Sequence, residues 1–130
     1  MSIKRFKRIF IVEDDTDISE LLEFNLSRQG FDVSTYQDGA EAYDGILQHL
    51  PDLVILDLTL PGLNGIEICR YMRNNPNTKK IPVIMLTART EEYDRAEGLK
   101  TGADKFITKP FSIKDVLANI NDLAARKGKD

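Results

Sequence analysis

The stretch that most constrains this chain is a short apolar run that ends on a carboxylate. Residues 53–56 read Leu-Val-Ile-Leu and lead into Asp57, and Pro61 and Gly62 then interrupt the pattern. Four consecutive apolar residues with branched side chains predict a strand that is buried on both faces, as in a parallel sheet. Ligands of such sheets bind just beyond the carboxyl ends of the strands. Asp57 is therefore a candidate nucleophile, metal ligand or helix cap.

Five strand patterns alternate with five helix patterns along the chain. Strands are predicted at residues 9–12, 31–36, 53–57, 81–87 and 104–108. Helices are predicted after residue 15, from 38 to 50, from 64 to 74, from 91 to 101 and after 112. Helical spacing places these residues inward: Ile18, Leu21, Leu22, Leu26, Ala42, Ile46, Leu47, Ile66, Cys69, Met72, Val116, Leu117, Ile120 and Leu123. The alternation predicts an α/β fold, a doubly wound five-stranded parallel sheet in the flavodoxin-like order 2-1-3-4-5, in three layers.

Length and charge favour one domain without a nucleic-acid or membrane partner. The chain has 130 residues and a formal net charge of −3, so it carries no global basic footprint for direct nucleic-acid binding. We expect a single domain over residues 1–130, structured over about 8–126, with 127–130 as a tail or the start of a linker. Only four apolar residues follow the basic start, too few for a signal peptide or membrane span, so we expect a cytoplasmic protein.

Polar residues follow four of the predicted strands. Glu13 and Asp14 follow the first strand, Asp57 ends the third, Thr87 ends the fourth and Lys109 follows the fifth. The strand order puts the first strand beside the third, so three carboxylates should converge and repel one another. Hard oxygen ligands of this kind suit Mg²⁺, and an ammonium and a hydroxyl suit phosphoryl oxygens. The set predicts a phosphoryl-binding site around a carboxylate nucleophile, and hence an aspartyl phosphate.

Four motifs at these strand ends resemble the receiver domains of two-component response regulators. They are Ile-Val-Glu-Asp-Asp at 11–15, Leu-Asp-Leu-x-Leu-Pro-Gly-x-x-Gly at 56–65, Leu-Thr-Ala-Arg at 86–89 and Ile-Thr-Lys-Pro-Phe at 107–111. The resemblance covers nearly the whole chain. It implies a CheY-like phosphorelay domain and not an enzyme, with at most slow self-phosphorylation from small phosphodonors and slow autodephosphorylation.

The resemblance also implies a role for each site residue. Asp57 would accept a phosphoryl group from a sensor histidine kinase or a histidine phosphotransfer protein, with Mg²⁺ or, in its place, Mn²⁺. The implied metal ligands are Asp14 directly, Glu13 through water, Asp57 and the backbone carbonyl of Thr59. The implied phosphoryl-binding and switch groups are Thr87, the Ala88 backbone, Lys109 and Phe106, with a cis Lys109–Pro110 bond. The output would reach a downstream protein or a fused effector domain.

Two alternative functions use related folds. A haloacid-dehalogenase-type Mg²⁺ phosphatase would also use Asp57 as its nucleophile, but it needs a second Asp as general acid two residues on, where this chain has Thr59. A flavodoxin needs a Ser/Thr/Gly-rich phosphate loop after the first strand, and the acidic residues 13–15 would repel a flavin phosphate.

Within the receiver family, the resemblance is nearest to the winged-helix transcription-factor subclass. Its receivers pair through the fourth helix, fifth strand and fifth helix by means of ion pairs. The corresponding residues here are Arg95, Asp104, Lys105, Asp115 and Asn119. Lys105 stands where that subclass usually has an acid and Asn119 where it usually has Arg, so a homodimer through this face would lack one ion pair.

Overall fold

Five parallel strands form one sheet in the order β2-β1-β3-β4-β5 in the computed structural model, which describes residues 6–88 and 102–128. The strands are β1 (Arg8–Val12), β2 (Asp32–Tyr36), β3 (Leu53–Asp57), β4 (Val83–Thr87) and β5 (Lys105–Thr108). The described helices are α1 (Thr16–Arg28), α2 (Gly39–His49), α3 (Gly65–Arg73) and α4 (Ile113–Gly128). The predicted flavodoxin-like topology is confirmed. The helix predicted at residues 91–101, with Arg95, lies outside the described residues.

Helices cover both faces of the sheet because the central strands are apolar on both sides. In β1, Phe10 and Val12 join the core that α2 and α3 cover, while Ile9 and Ile11 face the core that α1 and α4 cover. Every residue of β3 and of β4 is buried. Successive side chains of a strand point to opposite faces, so an uninterrupted apolar run fills both cores. Three layers result, with the sheet in the middle.

Short polar side chains start the helices at one edge of the sheet. The Asp15 carboxylate accepts hydrogen bonds from the amides of Asp17 and Ile18 at the start of α1, and Asp38 accepts one from the Glu41 amide at the start of α2. Asn64 forms a reciprocal capping box with Glu67 at the start of α3, and the Ser112 hydroxyl accepts from the Asp115 amide. Such caps satisfy amides that the helix cannot pair internally. None of the described helices is both long and apolar enough to span a bilayer.

Two predicted core positions are wrong. Leu21 in α1 is 47% exposed and Leu47 in α2 is 38% exposed. Ser19 is buried in α1 beside Leu22 and Leu26, and Gly45 is buried in α2 beside Ile46. Neighbouring helix residues point about 100° apart, and in α1 Leu22 faces the core while Leu21 points toward solvent. At Gly45 a larger residue would collide with the side chain of Tyr36 in β2.

The strand register brings the ends of β1, β3 and β4 to the same edge of the sheet. Val12 pairs with Leu56, Asp57 pairs with Leu86, and Thr87 pairs with Thr108. The polar residues predicted for the site, which end or directly follow these strands, therefore lie at nearly the same level along the sheet.

Candidate functional site

Three carboxylates converge where β1 and β3 end. Oxygen atoms of Glu13, Asp14 and Asp57 all lie within 4.8 Å of one another. Glu13 and Asp57 are buried, while Asp14 is exposed to solvent. A cluster that is closed on one side and open on the other suits a hydrated cation, because Mg²⁺ keeps several of its waters when it binds protein.

Glu13 is the most deeply buried member of the cluster. Its Oε2 accepts a hydrogen bond from the Asp15 amide at 3.0 Å. Its Oε1 lies 2.7 Å from Lys109 Nζ, so the two groups form an ion pair inside the site. Burial raises the pKa of the Glu13 carboxyl; the Lys109 ammonium and the Asp15 amide oppose this rise, and the Asp57 carboxyl adds to it.

Lys109 supplies the positive charge of the site. Its Nζ donates a hydrogen bond to Asp57 Oδ2 at 3.3 Å and also contacts Glu13. Burial works to lower the pKa of Lys109, but the neighbouring Glu13 and Asp57 carboxylates outweigh it and raise the pKa. Three carboxylates and one ammonium leave a formal charge of −2 in the cluster. One divalent cation would cancel that charge, and the exposed Asp14 leaves the cluster open to a hydrated ion, so the residues present fit Mg²⁺.

The remaining predicted site residues surround Asp57 on the β4 and β5 side. Thr87 is buried at the end of β4, and Ala88 after it is exposed. The Lys109 amide donates to the Thr87 carbonyl at 2.8 Å, which ties the two strand ends together. The Lys109–Pro110 peptide bond is cis. Phe106 is partly buried against the core that α2 and α3 cover.

The segment after Asp57 forms a tight loop that returns to its own starting point. The Thr59 amide donates to Asp57 Oδ1 at 3.3 Å, and the Gly65 amide donates to the Leu58 carbonyl at 3.0 Å. A side chain at Gly65 would overlap the Asp57 carbonyl oxygen. The loop of residues 58–64, called here the β3–α3 loop, therefore begins and ends against the backbone of Asp57.

Three of the predicted partner-face residues that the structure describes, Asp104, Lys105 and Asn119, have side chains bonded within the chain. Asp104 Oδ2 accepts from Arg73 at 3.0 Å and from the Val83 amide at 2.8 Å. Lys105 Nζ lies 2.7 Å from Asp122 Oδ2. The two remaining residues of this face belong to α4: the Asn119 amide group donates to the Asp115 carbonyl at 2.8 Å.

Sequence reasoning missed a structural neighbour of the site at the start of α2. The Tyr36 carbonyl accepts from the Glu13 amide at 2.9 Å, and the Gly39 amide donates to the Pro61 carbonyl at 3.1 Å. One signal was present in the sequence. Gly is unfavourable inside a helix, so Gly39 and Gly65 in the first turns of two helices could have indicated close backbone contacts.

Comparison with known proteins places this architecture in a family. The family model of the response regulator receiver domain matches residues 9–121. The chain belongs to the response regulator receiver family. The phosphate regulon transcriptional regulatory protein PhoB of Rhizobium meliloti (strain 1021) is 47% identical to this receiver over 119 residues, which cover 92% of the chain and 52% of the relative. The receiver thus spans about half the length of that curated relative.

Solved structures agree with this membership. A CheY-like response regulator receiver domain protein from Methanospirillum hungatei JF-1 is 27% identical and superposes with a TM-score of 0.89, covering 95% of this chain and 98% of that one. The receiver domain of the sensor histidine kinase PA1611 from Pseudomonas aeruginosa PAO1 is 27% identical with a TM-score of 0.85, covering 92% and 98%. That structure holds a magnesium ion in its active site cleft.

Membership in the receiver family makes the chain a signalling domain of a two-component response regulator. This family membership does not support the alternative of a haloacid-dehalogenase-type phosphatase. The acidic cluster at the ends of β1 and β3 fits the phosphorylation site of such a domain.

Proposed function

We propose that this receiver takes a phosphoryl group onto Asp57 from the phosphohistidine of a sensor histidine kinase or a histidine phosphotransfer protein. The observation that carries the proposal is the joint placement of three carboxylates within 4.8 Å and an ammonium in contact with two of them. A carboxylate is a weak nucleophile toward a charged phosphoryl group unless charge around it is neutralised. Lys109 supplies part of that neutralisation.

Mg²⁺ is the cation that this site fits, with Mn²⁺ as a substitute. Asp14 and Asp57 would bind it directly, Glu13 through water, and the Thr59 carbonyl would be a further ligand. The bound ion would neutralise the charge that develops on the transferring phosphoryl oxygens. The charge of the cluster supports this assignment, since three carboxylates against one ammonium leave a formal charge of −2 that a divalent cation would cancel. The magnesium ion in the related PA1611 receiver is consistent with the same use.

In the transfer step, a carboxylate oxygen of Asp57 forms a bond to phosphorus while the phosphorus–nitrogen bond of the donor histidine breaks. The electron pair of the broken bond returns to the imidazole nitrogen of the donor. No general acid or base is required of this chain, because catalysis of phosphoryl transfer depends on positioning and electrostatic stabilisation. The Lys109 ammonium, the Thr87 hydroxyl and the Ala88 amide would donate to the phosphoryl oxygens.

The output of the phosphorylated receiver would pass through the face that carries Thr87 and Phe106. When Thr87 turns toward a phosphoryl group, it vacates space that Phe106 can fill, which changes the surface at β5. The partner would be a downstream protein or a fused effector domain in the cytoplasm. The length of the PhoB relative, about twice that of this receiver, favours a fused effector.

The test of this proposal is intact-mass measurement after incubation with acetyl phosphate and Mg²⁺. We expect one phosphoryl adduct on the wild type and on Asp44→Asn, an exposed acid on α2 that serves as the matched control. We expect no adduct on Asp57→Asn, and none on the wild type in excess EDTA. An adduct of equal yield on Asp57→Asn would overturn the assignment. Rapid phosphate release without an accumulated adduct would favour a phosphatase instead.

A further inference from the structure

The junction between β2 and α2 contributes no member of the acidic cluster, yet it contacts both segments that carry the cluster. On one side the Tyr36 carbonyl accepts from the Glu13 amide at 2.9 Å. On the other side the Gly39 amide donates to the Pro61 carbonyl of the β3–α3 loop at 3.1 Å. The start of α2 therefore links the segment that follows β1 to the segment that follows β3.

The contact between α2 and the β3–α3 loop depends on a glycine from each side. A Cβ atom on Gly39 would overlap the Leu63 carbonyl oxygen and would lie 2.7 Å from its carbonyl carbon. Because these are backbone atoms, they cannot swing away as the end of a side chain can. Across the contact, Gly62 has a φ of +78°, and a Cβ there would lie 2.9 Å from Asp38 Oδ1. Gly39 therefore has no room for a side chain, and Gly62 is favoured because its positive φ strains other residues.

Thr59 lies between two points at which this loop is held. At the base, the Gly65 amide bonds the Leu58 carbonyl, and the Thr59 amide bonds Asp57 Oδ1. At the tip, the Pro61 carbonyl accepts a hydrogen bond from the Gly39 amide, and the Leu63 backbone packs against Gly39. A shift at the tip would therefore rotate the intervening peptide units, including the carbonyl of Thr59, relative to Asp57.

We propose that Gly39 is a positioning residue for the phosphorylation site: by letting the β3–α3 loop lie against α2, it sets where the Thr59 carbonyl stands relative to the acidic cluster. This inference rests on the proposed function, in which that carbonyl and the three acids hold Mg²⁺. Mg²⁺ demands near-ideal octahedral geometry, so a small displacement of one ligand weakens binding. Groups that orient metal ligands typically change metal affinity by about 10–100-fold when they are altered.

The test compares Gly39→Ala with Gly45→Ala, the same substitution in the same helix. The three atoms nearest a Cβ on Gly45 belong to the outer end of the Tyr36 side chain, and none of them belongs to the loop. Mg²⁺ affinity is measured by NMR chemical-shift titration, and loop mobility by hydrogen exchange of the amides in residues 58–65. We expect Gly39→Ala to bind Mg²⁺ about 10–100-fold more weakly, with faster exchange in the loop. We expect Gly45→Ala to match the wild type in both measurements, even if its melting temperature falls.

A milder variant keeps the inference testable if Gly39→Ala does not fold. Leu63→Ala removes a partly buried side chain that anchors the tip of the same loop to the core covered by α2 and α3, without adding an atom. It should also weaken Mg²⁺ binding and speed amide exchange in the loop. Unchanged Mg²⁺ affinity in a folded Gly39→Ala, or in Leu63→Ala where Gly39→Ala does not fold, would overturn the role of Gly39 and leave the proposed function intact. Failure of the wild type itself to bind Mg²⁺ would instead refute the proposed metal site, and the inference with it.

Discussion

A substitution of Asp104 tests whether this residue stabilises the fold or serves to bind a partner. Its Oδ2 accepts hydrogen bonds from Arg73 at 3.0 Å and from the Val83 amide at 2.8 Å. Arg73 also donates to the Gly102 carbonyl at 3.0 Å and to the Ile81 carbonyl at 2.8 Å. Asp104 thus joins the end of α3 to the start of β4 within one chain. We predict that Asp104→Ala destabilises the isolated receiver.

The size of the effect follows from these contacts. A hydrogen bond that involves a charged group contributes about 1.5–3 kcal/mol to the free energy of unfolding. The side chains of Arg73 and Asp104 are 22% and 38% exposed, so solvent screens the ion pair and the lower part of the range applies, about 2 kcal/mol in total. For 130 residues the unfolding entropy is about 0.27 kcal/mol/K. The melting temperature of Asp104→Ala should therefore fall by about 7 °C.

Thermal unfolding followed by circular dichroism measures this shift, with Asp115→Ala as the matched control. Asp115 belongs to the same predicted partner face, but it is exposed in the first turn of α4, where loss of its charge costs about 0.3–1 kcal/mol. A double-mutant cycle with Arg73→Ala should show that the two losses are not additive. If Asp104→Ala melted within about 2 °C of the wild type, the interpretation of Asp104 as a structural residue would be wrong.

Three further predictions concern charge. Lys109→Ala should slow phosphorylation by acetyl phosphate about a hundredfold or more, as when one donor to a developing charge is lost, while Mg²⁺ binding in an NMR titration persists. The hydrogen bond from Lys105 holds the pKa of Asp122 below its ordinary value, so this carboxylate stabilises the fold above about pH 4 and loses that effect as the pH falls through its folded pKa. Urea unfolding of Asp122→Asn and the wild type should therefore differ at pH 7 and converge at low pH; a constant difference would contradict this. Because Asp104 and Lys105 pair within the chain, we expect the beryllofluoride-bound receiver to remain monomeric in light scattering at micromolar concentration, and a dimer would show that these ion pairs exchange partners.

The sheet and the location of the site could be predicted because apolar runs and strand-end polar residues are local signals. Each buried strand is a short apolar segment, and a parallel arrangement sends all carboxyl ends to one edge. The positions of Glu13, Asp14 and Asp57 at that edge then follow from the strand order alone. Their separation within 4.8 Å required the register, which pairs Val12 with Leu56 and which no sequence pattern specifies.

The helix faces were harder to predict because periodicity does not choose between adjacent apolar residues. In α1 the spacing permitted both Leu21 and Leu22 inward, and only Leu22 is buried. Ser19 is buried in the same helix, and a small polar residue gives no hydrophobic signal. The glycine contacts of α2 were missed for the same reason: they are specified by the space a side chain would occupy and not by a side chain that is present.

The charge balance of the site explains why the backbone contacts that hold its segments in place matter as much as the metal ligands. The cluster of three carboxylates and Lys109 carries a formal charge of −2, and two of the three carboxylates, Glu13 and Asp57, are buried. Left alone, such a cluster would spread apart, since like charges at these distances repel. The hydrogen bond from Glu13 to the Tyr36 carbonyl and that from Gly39 to the Pro61 carbonyl hold its two halves together through the backbone. These two bonds use no carboxylate oxygen, so they hold the segments together without occupying an atom that a cation could bind.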